Sequence, residues 1–138
     1  ESVAGGNTTS VWRMLLTDAL VIDDSTLVKL PLQRRLAAIG AKVVAPRKAL
    51  GALSSERLRV RQKDNFRLKY VPYLLTEFKR KLTHGHGGLV FLHSEAPLCV
   101  HASDDVIAWV PTDDGSLDHT GSVSEAELTA WAKEHYSK

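Results

Sequence analysis

At 138 residues, with 43% hydrophobic and 25% charged side chains, the chain is one domain's worth or a piece of a larger one, with an ordinary soluble composition. No apolar run approaches the roughly 18–20 residues that span a bilayer, and the single cysteine, Cys99, excludes an internal disulfide and argues against a Cys-based zinc site. The formal net charge of +2 is too small to imply nucleic-acid binding by itself, so the distribution of charge matters more than its sum.

The chain opens at Glu1 with no signal-peptide pattern, as an excised or processed fragment would. Lone-cysteine usage favours a reducing compartment. Residues 1–10, small and polar without periodicity, read as a flexible lead-in, leaving 11–138 as the domain. Val11 to Asp23 is apolar, short and turn-bounded, which predicts a buried strand ended by the turn Asp23-Asp24-Ser25. Pro31 stands where a first helical residue belongs, and Leu32, Leu36, Ile39 and Val43 recur at helical spacing. Gly40 weakens that helix, and Pro46 is expected to stop it.

After a loop around Gly51, Arg57, Arg59, Arg61 and Lys63 alternate with Leu58, Val60 and Gln62. Period two in a strand puts the four cations on one face and the apolar residues on the other. Like charges this close suit a solvated face or a surface for phosphates. Val71, Leu74, Leu75, Phe78 and Leu82 predict an amphipathic helix over 72–82 opened by Pro72. Lys79, Arg80 and Lys81 crowd its last turn, where the helix dipole favours cations. Two strand cores follow, Leu89-Val90-Phe91 and Val106-Ile107-Ala108-Trp109. An acidic turn, TDDGSLDHTGS, leads to a final helix whose Ser124-x-x-Glu127 spacing is a capping box, with Val123 and Leu128 as its staple and Leu128, Trp131 and Ala132 as its apolar stripe.

Chemistry-bearing motifs are sparse. There is no GxxxxGK[ST], GxGxxG or GxSxG. His84 and His86, two apart on a Gly-flanked loop, make a far weaker metal signature than HExxH, and no metal site is expected. The pairs Asp23-Asp24, Asp104-Asp105 and Asp113-Asp114 fall at strand ends or turns, where Asp hydrogen-bonds its own backbone. Trp12, Trp109 and Trp131 are expected in the core. The residues alone give a mixed α/β piece with one basic strand face and no catalytic set.

Taken together and in order, the segments over 12–111 resemble the later part of the nucleotidyltransferase domain of mRNA capping enzymes (guanylyltransferases). The strand LLTDALV is similar to the family's strand with an aspartate after apolar or aromatic residues. Gln33-Arg34-Arg35-Leu36-x-x-Ile39 and Val44-x-Pro46-Arg47 resemble its R-L-x-x-I and P-R segment. Leu58 to Lys63 stands where the family has F-x-V-R-x-K. Thr83 to Phe91 resembles S-H-x-x-D-G-L-I-F, and Asp104 to Pro111 resembles D-D-I-L-K-W-K-P. The resemblance implies an α+β fold, a partial nucleotidyltransferase (ATP-grasp/ligase-like) domain with a mainly antiparallel sheet flanked by helices.

The departures bear on function. The family's nucleophile is the lysine of K-x-D-G, and this sequence contains no K-x-D-G. The family's acid before Gly-Leu-Ile-Phe is Gly87, its two K-W-K-P lysines are Ala108 and Val110, and its base-stacking aromatic is Thr17. Without nucleophile, phosphate cations and stacking ring, phosphoryl transfer lacks most of its stabilising groups. Thr17, Asp18, Gly87, Gly88 and Trp109 then stand as a remnant nucleotide pocket with no catalytic residue. Trp12 to Leu20, WRMLLTDAL, further resembles the W-R-x-L-x-T-D-A-L strand of the inactive guanylyltransferase-like domain in cap-1 ribose 2′-O-methyltransferases. That likeness implies a nuclear cap-forming factor whose S-adenosylmethionine site lies in another domain of the parent protein. The cofactor-free module here would contact RNA or the phosphorylated tail of RNA polymerase II through Arg57, Arg59, Arg61 and Lys63. Two alternatives stand beside it: the distal part of an active guanylyltransferase whose lysine half is elsewhere, and a purely structural domain.

Overall fold

The computed structural model describes residues 12–51, 56–99, 101, 103–111 and 123–136. The expected lead-in and the acidic turn TDDGSLDHTGS lie outside these residues. The chain divides into two compact units, Glu1–Lys63 with Ser94–Val100, and Asp64–His93 with His101–Lys138. Helix and sheet are mixed, as an α+β class requires.

In the first unit, β1 (Trp12–Leu16) pairs with β4 (Leu58–Gln62) in parallel, with Trp12 opposite Leu58 and Leu16 opposite Gln62. Parallel neighbours need a long crossover, and the helical segment between them supplies it. The expected single strand from Val11 to Asp23 is corrected here. β1 ends at Leu16, and a separate hairpin joins β2 (Val21–Ile22) to β3 (Ser25–Thr26). Asp23 and Asp24 take φ of 50° and 58°, the left-handed pair that a two-residue hairpin turn needs and that Asp tolerates better than most side chains. Nor is this stretch buried: Trp12, Met14, Leu15 and Val21 are all exposed.

Pro31, expected as the first helical residue, is instead the N-cap with an extended ψ of 147°, and helix α1 (Leu32–Ile39) buries Leu32, Arg35 and Ile39. It does not stop at Pro46. A π-helical turn, Gly40–Val44, carries the chain into α2 (Ala45–Ala49), with Pro46 in that helix's first turn. The Ala45 amide bonds the Gly40 carbonyl, five residues back. A widened turn displaces the carbonyl that a proline ring meets in a regular helix, which is how Pro46 is accommodated. Residues 94–98 close the unit on α1: the Leu32 and Gln33 amides donate to Ala96 and Ser94 carbonyls, and the Leu98 amide donates to Val28.

The second unit holds the better core. Val71, Leu75, Trp109, Leu128 and Ala132 are buried together, with Leu68, Leu89 and Phe91 packed against them. The expected helix over 72–82 starts earlier, with a 3-10 turn (Leu68–Tyr70) running into α3 (Val71–Tyr73). A π turn (Leu74–Phe78) and α4 (Lys79–Lys81) follow. β5 (Leu89–Leu92) pairs antiparallel with β6 (Val106–Trp109), Leu89 opposite Trp109. Helix α5 (Glu125–His135) has the expected capping box: Ser124 Oγ accepts from the Glu127 amide, and Glu127 accepts from the Ser124 amide. The Ser124 hydroxyl also donates to Glu127 Oε2 at 2.7 Å, and this bond together with the Ser124 amide holds the Glu127 carboxyl below its ordinary pKa. Leu128 and Ala132 are buried as expected, whereas Trp131 is half exposed, edge-on to Phe91 and stacked on His135.

The strands therefore form three separate pairs among the described residues, one of them parallel, instead of one mainly antiparallel sheet. Hydrophobic alternation marks strand positions but carries no information on which strands pair, because that depends on the crossover between them.

Candidate nucleic-acid interface

β4 carries only two of the four predicted cations, Arg59 and Arg61, while Arg57 and Lys63 flank it directly. Arg57, Arg61 and Lys63 are exposed and Arg59 is half-buried. Arg61 and Lys63 each already have an interaction partner, and the Lys63 amide extends the ladder by donating to Leu16. The Arg59 Nε is buried without a hydrogen-bond partner. Strict inside-outside alternation fails here, since Leu58 on the expected apolar face is exposed. A two-stranded parallel pair has no layer on each side to bury it, which is the setting parallel strands normally require.

Pairing adds a cation that the sequence reading missed. Arg13 on β1 stands directly opposite Arg59, with Leu15 opposite Arg61. Register partners in a parallel ladder project to the same face, so the stripe becomes Arg13, Arg59 and Arg61, flanked by Arg57 and Lys63. The signal was invisible in sequence because 45 positions separate Arg13 from its neighbour across the ladder. Two arginines opposite each other repel unless water or an anion lies between them.

The remnant-pocket residues fall in both units. In the first, Thr17 is exposed and Asp18 is half-buried. Asp18 is held by Arg35, which is 3% exposed: Nε donates to Oδ1 at 2.7 Å and Nη2 to Oδ2 at 2.9 Å. Arg35 Nη1 donates to the Leu30 and Ala96 carbonyls, and the Ala19 amide donates to Asp18 Oδ1. Burial by itself raises the Asp18 pKa, but the Arg35 hydrogen bonds, the Ala19 amide and the Arg35 charge together outweigh it, so the carboxyl lies below its usual value. Asp18 thus neutralises a buried guanidinium and ties β1's exit to α1. Arg35 is the second residue that apolar spacing missed, because an arginine on the buried helix face breaks the pattern that identifies that face.

In the second unit Gly87 is open, with no atom within 4 Å of a built Cβ. Gly88 is not: its φ is +130° and a Cβ would lie 2.0 Å from the Trp109 carbonyl oxygen, so only glycine fits. Trp109 is a core side chain whose ring N–H donates to the Val123 carbonyl at 2.7 Å. Ala108 and Val110, where the capping-enzyme motif has lysines, are both exposed. The His84 ring lies against the neighbouring Gly85 carbonyl at 2.7 Å, and no group of three metal-ligating side chains occurs among the described residues. Nor is any helix among them long and apolar enough to cross a membrane.

Comparison with known proteins gives one family: the model described as mRNA capping enzyme, catalytic domain, matches residues 2–112. No curated protein matches the chain.

Proposed function

The chain belongs to the family of mRNA capping enzyme catalytic domains and has an mRNA-capping-related role, within which we propose that it is a catalytically inactive guanylyltransferase-like scaffold. On this reading its complete form is a nucleotidyltransferase (ATP-grasp/ligase-like) domain. Its parent is a nuclear cap 2′-O-ribose methyltransferase that binds S-adenosylmethionine in another domain. The observation that carries the loss of activity is the pair Ala108 and Val110, exposed apolar side chains where the capping-enzyme motif has phosphate-contacting lysines. An apolar surface at these two positions offers nothing to a developing phosphate anion.

Incubating the full-length protein with labelled GTP and Mg²⁺ tests this directly. No covalent lysyl-GMP band is expected on a denaturing gel, and a band would establish the alternative of an active guanylyltransferase with its lysine half elsewhere. The contact surface we assign is the stripe of Arg13, Arg57, Arg59, Arg61 and Lys63, with RNA backbone as ligand, because arginine pairs with phosphate through charge-assisted bonds. Replacing Arg59→Glu and Arg61→Glu together is expected to weaken RNA binding at least tenfold and flatten its salt dependence. A loss confined to phosphorylated polymerase-tail peptide would move the ligand to that peptide. Unchanged binding of both would leave the structural-domain reading.

A further inference from the structure

The second unit gathers aromatic rings and cations that the β4 stripe does not involve. Four rings form a continuous chain. Phe66 meets Tyr70 edge-on at 6.3 Å between centroids and Phe78 at 5.2 Å, and Phe78 meets Tyr73 at 6.1 Å. The spacing depends on the π turn. Tyr73 and Phe78 are five residues apart, a separation that a regular helix carries well around its axis and that the wider turn Leu74–Phe78 brings together. Core packing does not account for the cluster. Phe66 is 41%, Tyr70 43% and Tyr73 36% exposed, while the helix's buried face is Val71 and Leu75.

Cations surround these rings. Lys69 Nζ lies 5.1 Å from the Tyr70 ring centre, and Lys81 Nζ lies 5.6 Å from that of Tyr73. Arg67 and Arg80 are exposed on the same segment, with Glu77 the acid paired to Arg80 at 3.7 Å. Tyr70 and Tyr73 therefore each have an ammonium at the ring. Half-open rings interleaved with cations match the two needs of a single-stranded nucleic acid, a stacking face for the base and a charge for the phosphate. A duplex keeps its bases stacked on each other and offers such rings nothing.

We propose that Phe66, Tyr70, Tyr73 and Phe78, with Lys69 and Lys81, form a stacking site for single-stranded RNA, separate from the β4 stripe. Tyr70 and Tyr73 take bases, and Lys69 and Lys81 take the adjoining phosphates. Phe66 and Phe78 hold the tyrosines through their ring contacts. The site does not depend on the inactive-scaffold reading, since none of its residues belongs to the nucleotide motifs.

Fluorescence anisotropy with the full chain and a labelled single strand of about ten nucleotides tests it, against an abasic strand of the same length and an RNA duplex. Unmodified single strand is expected to bind about tenfold more tightly than the abasic strand. Tyr70→Leu and Tyr73→Leu should each remove much of that advantage, leaving abasic binding unchanged, and Tyr→Trp at either position should retain it. Arg59→Glu with Arg61→Glu should lower affinity for both strands equally, so failure of the β4 stripe and failure of this site are distinguishable. Should a leucine variant unfold by circular dichroism, photo-crosslinking of thiouridine-bearing RNA to the unmodified chain decides, with the adduct expected on the peptide holding Tyr70 and Tyr73. Equal binding of intact and abasic strands, leucine variants that bind as well as the parent, or crosslinks only to β1 and β4 would each overturn the proposal.

Discussion

Asp18 is the residue whose meaning changed most between sequence and structure. Its place after a strand core suits a nucleotide pocket, yet its carboxylate holds a guanidinium that is 3% exposed and also bonds two backbone carbonyls. Replacing Asp18→Asn leaves the Arg35 charge buried and short of its counter-ion, and is expected to cost about 2–3 kcal/mol in a urea titration near neutral pH. The pH dependence follows from the sign of the shift. A folded-state pKa below the unfolded one gives stability that is present above about pH 4 and lost as pH falls through the depressed value. The gap between parent and Asp18→Asn should therefore narrow in acid, and a gap constant down to pH 2–3 would show that the carboxylate charge is not what matters. Glycine gives a second contrast at this scale. Gly88→Ala forces a Cβ onto the Trp109 carbonyl at a φ of +130° and should cost at least about 3 kcal/mol. Gly87→Ala meets open space and should stay within about 0.5 kcal/mol. Comparable urea midpoints for the two variants would contradict this.

Among the elements, the two helical runs were located by spacing but misjudged at their ends. The 3.6-residue period was legible, whereas the π turns at Gly40–Val44 and Leu74–Phe78 were not. One extra residue per turn shifts which side chains share a face, and apolar spacing averaged over a run does not register it. Helix α5 was legible to the cap, because Ser124 and Glu127 act within one turn and need nothing from the rest of the chain. Ser124→Ala is expected to lower stability by about 1 kcal/mol. The cap should also weaken in acid, because Glu127 accepts its bonds as a carboxylate and its pKa is held below the ordinary value by them. Thermal melts of the parent and variant at neutral pH check the first point. Loss of the difference as pH falls through the Glu127 pKa checks the second.

For the molecule as a whole, the sequence determined what depends on residues near one another in the chain. It gave the mixed α+β class, the turn at Asp23-Asp24, the capping box that starts α5 and the motif order that marks a capping-enzyme domain. It also determined what is missing, since no folding restores a lysine to Ala108 or Val110. Only the tertiary structure decided what distant residues do to each other. It set the parallel register that puts Arg13 opposite Arg59, the Arg35 clamp on Asp18, and the aromatic cluster that Phe66 forms with Tyr70 and Phe78. Local preferences are fixed by sterics and by hydrogen bonds a few residues long, whereas pairing and burial depend on loop closure over tens of residues, where many sequences share one pattern and few share one partner.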